Sequence, residues 1–278
     1  MKRNKIHSKK ALQIRMVIAV LVCVAAAAVL TFYPKDQEEK VQTEQEEPTT
    51  PPVRSTGQAQ LVPAPVENPD EEVYSFLQGP KSWKKRLPWS GKWGVTHMDG
   101  SSFGAFGCGL CCVANLYSTL TPYKASPVDA YEWAKDSTKY GGGCAISWTQ
   151  IGHTLKRSGL PAELWNKPKN YPMFQDQVKE AAGCIVLVCS YNDDSYWKNT
   201  PGHYVTIFHY NEEDDTVFLC DSGDPGHNRS RIKLRTIYKA LKTESDHQYL
   251  TVGAYDENGD QWKNTKLSGK FVLEEAYQ

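Results

Sequence analysis

Neither sign of charge is in excess: 32 Lys and Arg stand against 32 Asp and Glu, for a formal net charge of +0 at pH 7. The balance hides an asymmetry. Six basic residues, Lys2, Arg3, Lys5, Lys9, Lys10 and Arg15, precede the first apolar run with no acid among them, so the rest of the chain carries 26 bases against 32 acids. A mildly acidic body gives no electrostatic reason to expect a nucleic-acid partner. The sequence also lacks internal repeats and any sign of a second core. One C-x-x-C is present, Cys108 to Cys111, but no second C-x-x-C follows to complete a four-cysteine zinc site. No cofactor is implied.

What is present starts with Met16–Phe32, MVIAVLVCVAAAAVLTF, which holds no charged residue. As a helix its 17 residues span about 26 Å at ~1.5 Å each, a little short of the ~20 residues that cross a bilayer, and Arg15 is placed to snorkel. The basic flank of residues 1–15 marks the cytoplasmic end. Residues 16–32 are therefore expected to be a single-pass signal anchor in the cell membrane, with everything after it extracytoplasmic. The alternative is a secretory signal peptide cleaved near Ala25–Ala28, leaving a secreted protein.

Residues 33–72 are rich in Glu, Gln, Pro and Thr and nearly free of aromatic residues. Such a segment buries too little surface to offset its ordering entropy and is expected to be a disordered linker. Residues 73–278 are left as the folded domain. Helix signals come first there: Phe106–Leu120, a helix opened by Ser126-Pro127, another opened by the Ser147-Trp148-Thr149-Gln150 capping box and closed at Gly159, and Met173–Ala182 ended by Gly183. Runs rich in Val, Ile, Tyr and Phe follow at Cys184–Ser190, His203–Tyr210, Thr216–Asp221 and Tyr249–Tyr255. Helices segregated before a largely antiparallel sheet predict an α+β fold rather than βαβ units.

The chemistry gathers at Gly107-Cys108-Gly109. A cysteine at the entry of an apolar helix has free backbone N–H groups and the positive end of the helix dipole beside its sulfur, and both favour thiolate. The candidate base is His203, which opens a strand after Pro201-Gly202. If residues 211–215 form the hairpin loop, paired positions of the two following strands sum to an even number. His203 then shares a face and an end with Asp221, close enough for the carboxylate to orient the imidazole. Asp224 is the substitute orienter. His97, His153, His209, His227 and His247 receive no role.

This ordered set, Gly107-Cys108-Gly109 with Ala114-Asn115, Gly202-His203-Tyr204-Val205 and Val217 to Asp221, resembles the papain-like cysteine peptidases of the bacteriocin-leader-processing (C39-like) family and their stand-alone bacterial members. The resemblance implies a papain-like fold, helices packed on an antiparallel sheet, and hydrolysis of a peptide or amide bond in a peptide or protein substrate. It implies Cys108 as nucleophile, His203 as base, Asp221 as orienter and the Cys108 backbone N–H as one oxyanion donor. Two positions depart from the family pattern. Gly109-Leu110-Cys111 replaces Gly-Pro and a small polar residue. Ser102 stands six residues before the cysteine, where the family carries an oxyanion glutamine.

Two other readings compete: a thiol–disulfide oxidoreductase using Cys108 and Cys111, and a papain-like fold that binds peptides without cleaving them. Beyond Cys23 there are seven cysteines, Cys108, Cys111, Cys112, Cys144, Cys184, Cys189 and Cys220. An odd number suits one free nucleophile and up to three bridges, with the pairing open.

Overall fold

Caps decide where the early helices start. The computed structural model describes residues 68–79, 97–190 and 196–265. A two-residue hairpin, β1 (His97–Met98) and β2 (Ser101–Ser102), turns through Asp99 and Gly100, both at positive φ. It leads into a single-turn helix, α1 (Phe103–Phe106), and after Gly107 into α2 (Cys108–Leu120). Every residue of α2 from Gly109 to Ser118 is buried, as expected for a helix apolar around its circumference. Helices α3 (Pro127–Ser137) and α4 (Trp148–Arg157) each open on a complete capping box, Ser126 with Asp129 and Ser147 with Gln150. After β3 (Ala162–Trp165), Asn170 caps α5 (Tyr171–Glu180).

The remaining elements are β4 (Gly183–Val188), β5 (His203–Asn211), β6 (Thr216–Cys220), β7 (Ser230–Lys233), α6 (Leu234–Ala240) and β8 (Tyr249–Val252). Six strands form one antiparallel sheet in the order β3-β8-β4-β5-β6-β7. Alternation along each strand loads both faces. Ile185, Leu187 and Phe208 pack with α2, α3 and α4; Val186, Val205 and Ile207 pack with Phe174 and Val178 of α5 and Ile237 of α6. The domain is therefore α+β with helices on both faces of the sheet, and α2 is the buried element that carries Cys108 into it.

Two expectations need correction. Gly183 does not end α5, which stops at Glu180; it opens β4, where an added Cβ would lie 2.8 Å from Leu116. The strands β3 and β7 and helix α6 went unforeseen. Residues 68–72 belong to the folded unit and not to the linker. Pro69–Glu72 forms a 3₁₀ turn, and the buried Asp70 accepts from Arg231 through both carboxylate oxygens, at 3.0 and 3.1 Å, and meets His209 Nδ1 at 2.9 Å.

From that clamp residues 73–79 run as an extended strap. Tyr74 N donates to Thr119 Oγ1 at 3.0 Å, Phe76 N to Asn115 Oδ1 at 2.9 Å, and Gln78 N to Ser222 O at 2.8 Å. The apolar run Met16–Phe32 lies outside the described residues; among those described, no helix is long and apolar enough to cross a membrane.

Candidate active site

Three elements converge at one end of the sheet: the start of α2, the start of β5 and the loop that leaves β6. Cys108 is the first residue of α2, and its thiol is hydrogen-bonded to His203 and approached by the backbone N–H groups of Gly109 and Tyr204. Burial opposes its charge, yet the imidazole and the two N–H groups outweigh burial and hold the thiol below its ordinary 9.0. Gly109 matters through space. A Cβ there would stand 2.6 Å from Ile146 Cγ2, so only glycine lets the Ala145-Ile146 segment close against the helix entry.

His203 Nε2 meets Asp221 Oδ1 at 2.8 Å, which leaves Nδ1 for the thiol. Burial again opposes charge on the ring, but the Asp221 carboxylate and the Cys108 sulfur push the imidazole up to about 10. Asp221 is 1% exposed and well supplied with donors. Oδ1 also accepts from Gly223 N at 2.9 Å and Asp224 N at 3.2 Å, and Oδ2 accepts from Trp197 Nε1 at 3.0 Å. Burial would raise its carboxyl, but the His203 charge and these donors hold it far below the usual carboxylate range. The arrangement favours a thiolate–imidazolium pair with a permanently ionised aspartate behind it.

The structure thus brings Cys108, His203 and Asp221 together in one hydrogen-bonded chain. Asp224 is not the orienter: its Oδ1 accepts from Gly226 N at 2.7 Å and closes its own turn. The pairing Thr206↔Cys220, Ile207↔Leu219, Phe208↔Phe218 follows the expected even-sum register at the site's end of the hairpin. Toward the turn, a bulge at His209, whose φ is 47°, shifts the last pair to Asn211↔Thr216.

Ser102 caps α1, its Oγ accepting from Ala105 N at 3.3 Å. The residue that sequence reasoning missed is Gln78. Its carboxamide is buried, donates to Gly104 O at 3.3 Å, one turn before Cys108, and accepts from Ser222 Oγ at 2.5 Å, next to Asp221. A buried amide hydrogen-bonded to α1 on one side and to the loop after β6 on the other is an oriented donor. Its only sequence signal was a polar residue directly after the apolar Phe76-Leu77.

Among the described residues no disulfide joins the seven cysteines, so the expected bridges do not form there. The six other than Cys108 are buried, five of them within the two core layers. Burial pushes Cys111 and Cys112 well above the ordinary thiol value, Cys144 up to about 11, and Cys184 and Cys220 up to about 12. Cys111, the partner that an oxidoreductase would need, is inaccessible and held as thiol. Among the described residues no group of three or more His, Cys, Asp or Glu could hold a metal ion.

Two cavities flank the reactive pair and share Pro201 and Gly202. One, of about 470 Å³, includes Cys108 with Phe106, Ile146, Leu187, Tyr204 and Lys242. The other, of about 580 Å³, includes His203 and Asp221 with Tyr196, Lys198, Asp224 and His227.

The sequence matches no protein-family model, and no curated protein matches it. Among solved structures it is similar to a crystal structure described as a "putative C39-like peptidase from Bacillus anthracis", with a TM-score of 0.37 and 9% identity over 58% of this chain and 93% of that one.

Proposed function

We propose that this chain is a membrane-tethered, extracytoplasmic cysteine peptidase that cleaves a peptide or amide bond through an acyl-enzyme. The observation that supports it is the hydrogen-bonded chain Asp221–His203–Cys108 at the entry of a buried helix. The Cys108 thiolate attacks the substrate carbonyl carbon, and the developing oxyanion accepts from the Cys108 backbone N–H and the Gln78 carboxamide. The His203 imidazolium gives its proton to the departing amine, leaving a thioester. Water then attacks the thioester with neutral His203 taking its proton; the acid leaves and the thiolate–imidazolium pair is restored.

This order of events assigns the cavities. The acyl part stays bonded to Cys108 and occupies the apolar cavity that includes that residue. The amine must reach His203 to be protonated and leaves through the more polar cavity that includes the base.

The place of Met16–Phe32 in this proposal rests on sequence: the run anchors the chain, with residues 33–67 as its leash. One experiment tests both parts. Cells expressing wild type and Cys108→Ala are fractionated and treated with a thiol-reactive peptide electrophile. The label is expected in the membrane fraction, dependent on Cys108, and released from intact cells by brief external proteolysis. Label that persists in Cys108→Ala sinks the nucleophile; full-length protein in the soluble cytosolic fraction sinks the tether.

A further inference from the structure

His203 is not the only imidazole at Asp221. His227 sits on the loop after β6 with Nδ1 3.6 Å from Asp221 Oδ2, too far for an ordinary hydrogen bond but close for an ion pair. That nitrogen is buried and has no hydrogen-bond partner among the described residues. The ring is fixed by stacking on Tyr196, with centroids 4.1 Å apart and planes at 24°, and the Tyr196 hydroxyl is in turn hydrogen-bonded to Ser230. The geometry is that of a ring held against a carboxylate for its charge.

The charge count of the site explains why a second imidazole is useful. Thiolate, imidazolium and carboxylate together carry one net negative charge, in a place where Asp221 is 1% and His203 12% exposed. An unbalanced charge in such surroundings is costly, and the group with the weakest hold on ionisation, the Cys108 thiolate, is the one that gives way as protons become available. A second imidazolium brings the cluster to neutrality.

Resting on the peptidase reading, we propose that His227 is a positioning residue of the site: a second imidazolium that offsets Asp221 and keeps Cys108 ionised in acid. The charged and titratable groups around it are Asp221 and Asp224 on its own loop, His203 on β5, and Tyr196 before β5, with Lys198 lining the same cavity. Contact with Asp221 raises its proton affinity above the ordinary 6.5, against burial and the nearby His203, so it is cationic throughout the acid range. As pH rises past its titration the cation is lost, and the thiolate then depends on His203 alone.

The test measures the rate of Cys108 alkylation by iodoacetamide between pH 3 and 9, on the full-length chain in detergent, with the labelled residue identified by mass spectrometry. His227→Gln is expected to move the acid limb upward by on the order of half a pH unit, the size of one partly screened charge several ångströms away, while rates above the limb stay within about twofold. His227→Phe keeps the stack on Tyr196 without the charge and should move the limb in the same way. His227→Lys, a permanent cation, should restore it. A merely structural role would lower the rate at every pH without moving the limb. Gln and Phe variants with the wild-type limb overturn the inference, as does a folded Lys variant that fails to restore it. Alkylation of another thiol ahead of Cys108 in wild type overturns the peptidase reading itself, and this inference with it.

Discussion

Gly223→Ala tests whether the His203–Asp221 contact sets the reactivity of the site. A Cβ at position 223 would lie 3.1 Å from both Cε1 and Nε2 of His203 and 3.5 Å from Asp221 Oδ1. Ordinary carbon contacts are ~3.5–4.0 Å, so something must yield by a few tenths of an ångström. Asp221 does not: its two oxygens accept from Gly223 N, Asp224 N and Trp197 Nε1 besides His203. The ring does, lengthening the 2.8 Å bond and turning Nδ1 away from the thiol. A misplacement of ~1 Å costs about 10²-fold in rate, so a few tenths scale to about three- to tenfold. Stability should hardly move, because Gly223 is not among the positive-φ glycines and alanine there narrows the unfolded ensemble by ~0.4–1 kcal/mol. Iodoacetamide alkylation of Cys108 at pH 7 and a thermal melt read both quantities. An alkylation rate equal to wild type in a folded Gly223→Ala protein would refute the reasoning.

The oxyanion role proposed for Gln78 predicts a split: Gln78→Ala should lower hydrolysis of a fluorogenic peptide pool by about 10²–10³-fold yet leave Cys108 alkylation within about threefold, since alkylation builds no oxyanion. Equal losses in both assays mean that Gln78 only holds the fold. The His203 pair also makes stability depend on pH. With the folded ring at about 10 against 6.5 unfolded, its contribution is complete below pH 6.5 and lost as pH rises through about 10; Asp221, held below 3.8, contributes above pH 3.8 and loses that contribution as pH falls. Because folded Cys108 is held below its ordinary 9.0, the proton on the unfolded thiol offsets the one the folded ring keeps, so urea midpoints in wild type should change little just above pH 6.5 and decline most steeply between about 9 and 10, and should not do so in His203→Ala; an identical decline in both would place its origin elsewhere.

Local signals carried the sequence reading furthest. Ser126 and Ser147 cap their helices through bonds to residues three positions on, so their roles are legible in a few consecutive letters. The meeting of His203 and Asp221 was legible because strand parity counts outward from a turn. The bulge at His209 broke that count only near the turn, leaving the end that matters in register. Strands β3 and β7 are four residues each with alternating or partial burial, and they exist because a long-range neighbour offers a ladder. Gln78 was missed for the same reason: its partners Gly104 and Ser222 are distant in sequence, and a search by spacing from Cys108 stops at Ser102. His227, in a turn of Asp, Pro and Gly, has no period to betray it.

On the proposed reading the strap of residues 73–79 has two jobs, since it follows the leash and also delivers Gln78. Where a protease cuts the leash therefore decides what is set free. If the segment before Asn68 is the tether proposed above, a cut ahead of Asn68 keeps the Asp70 clamp, the strap and its glutamine, and sheds the domain with its proposed site whole. A cut a few residues later severs the Asp70 clamp from the strap, and the shed domain keeps its thiol but loses its grip on the segment bearing the proposed second oxyanion donor. Release and inactivation are then separated by less than a dozen residues of chain, and the sequence preference of whichever protease reaches the leash sets the outcome.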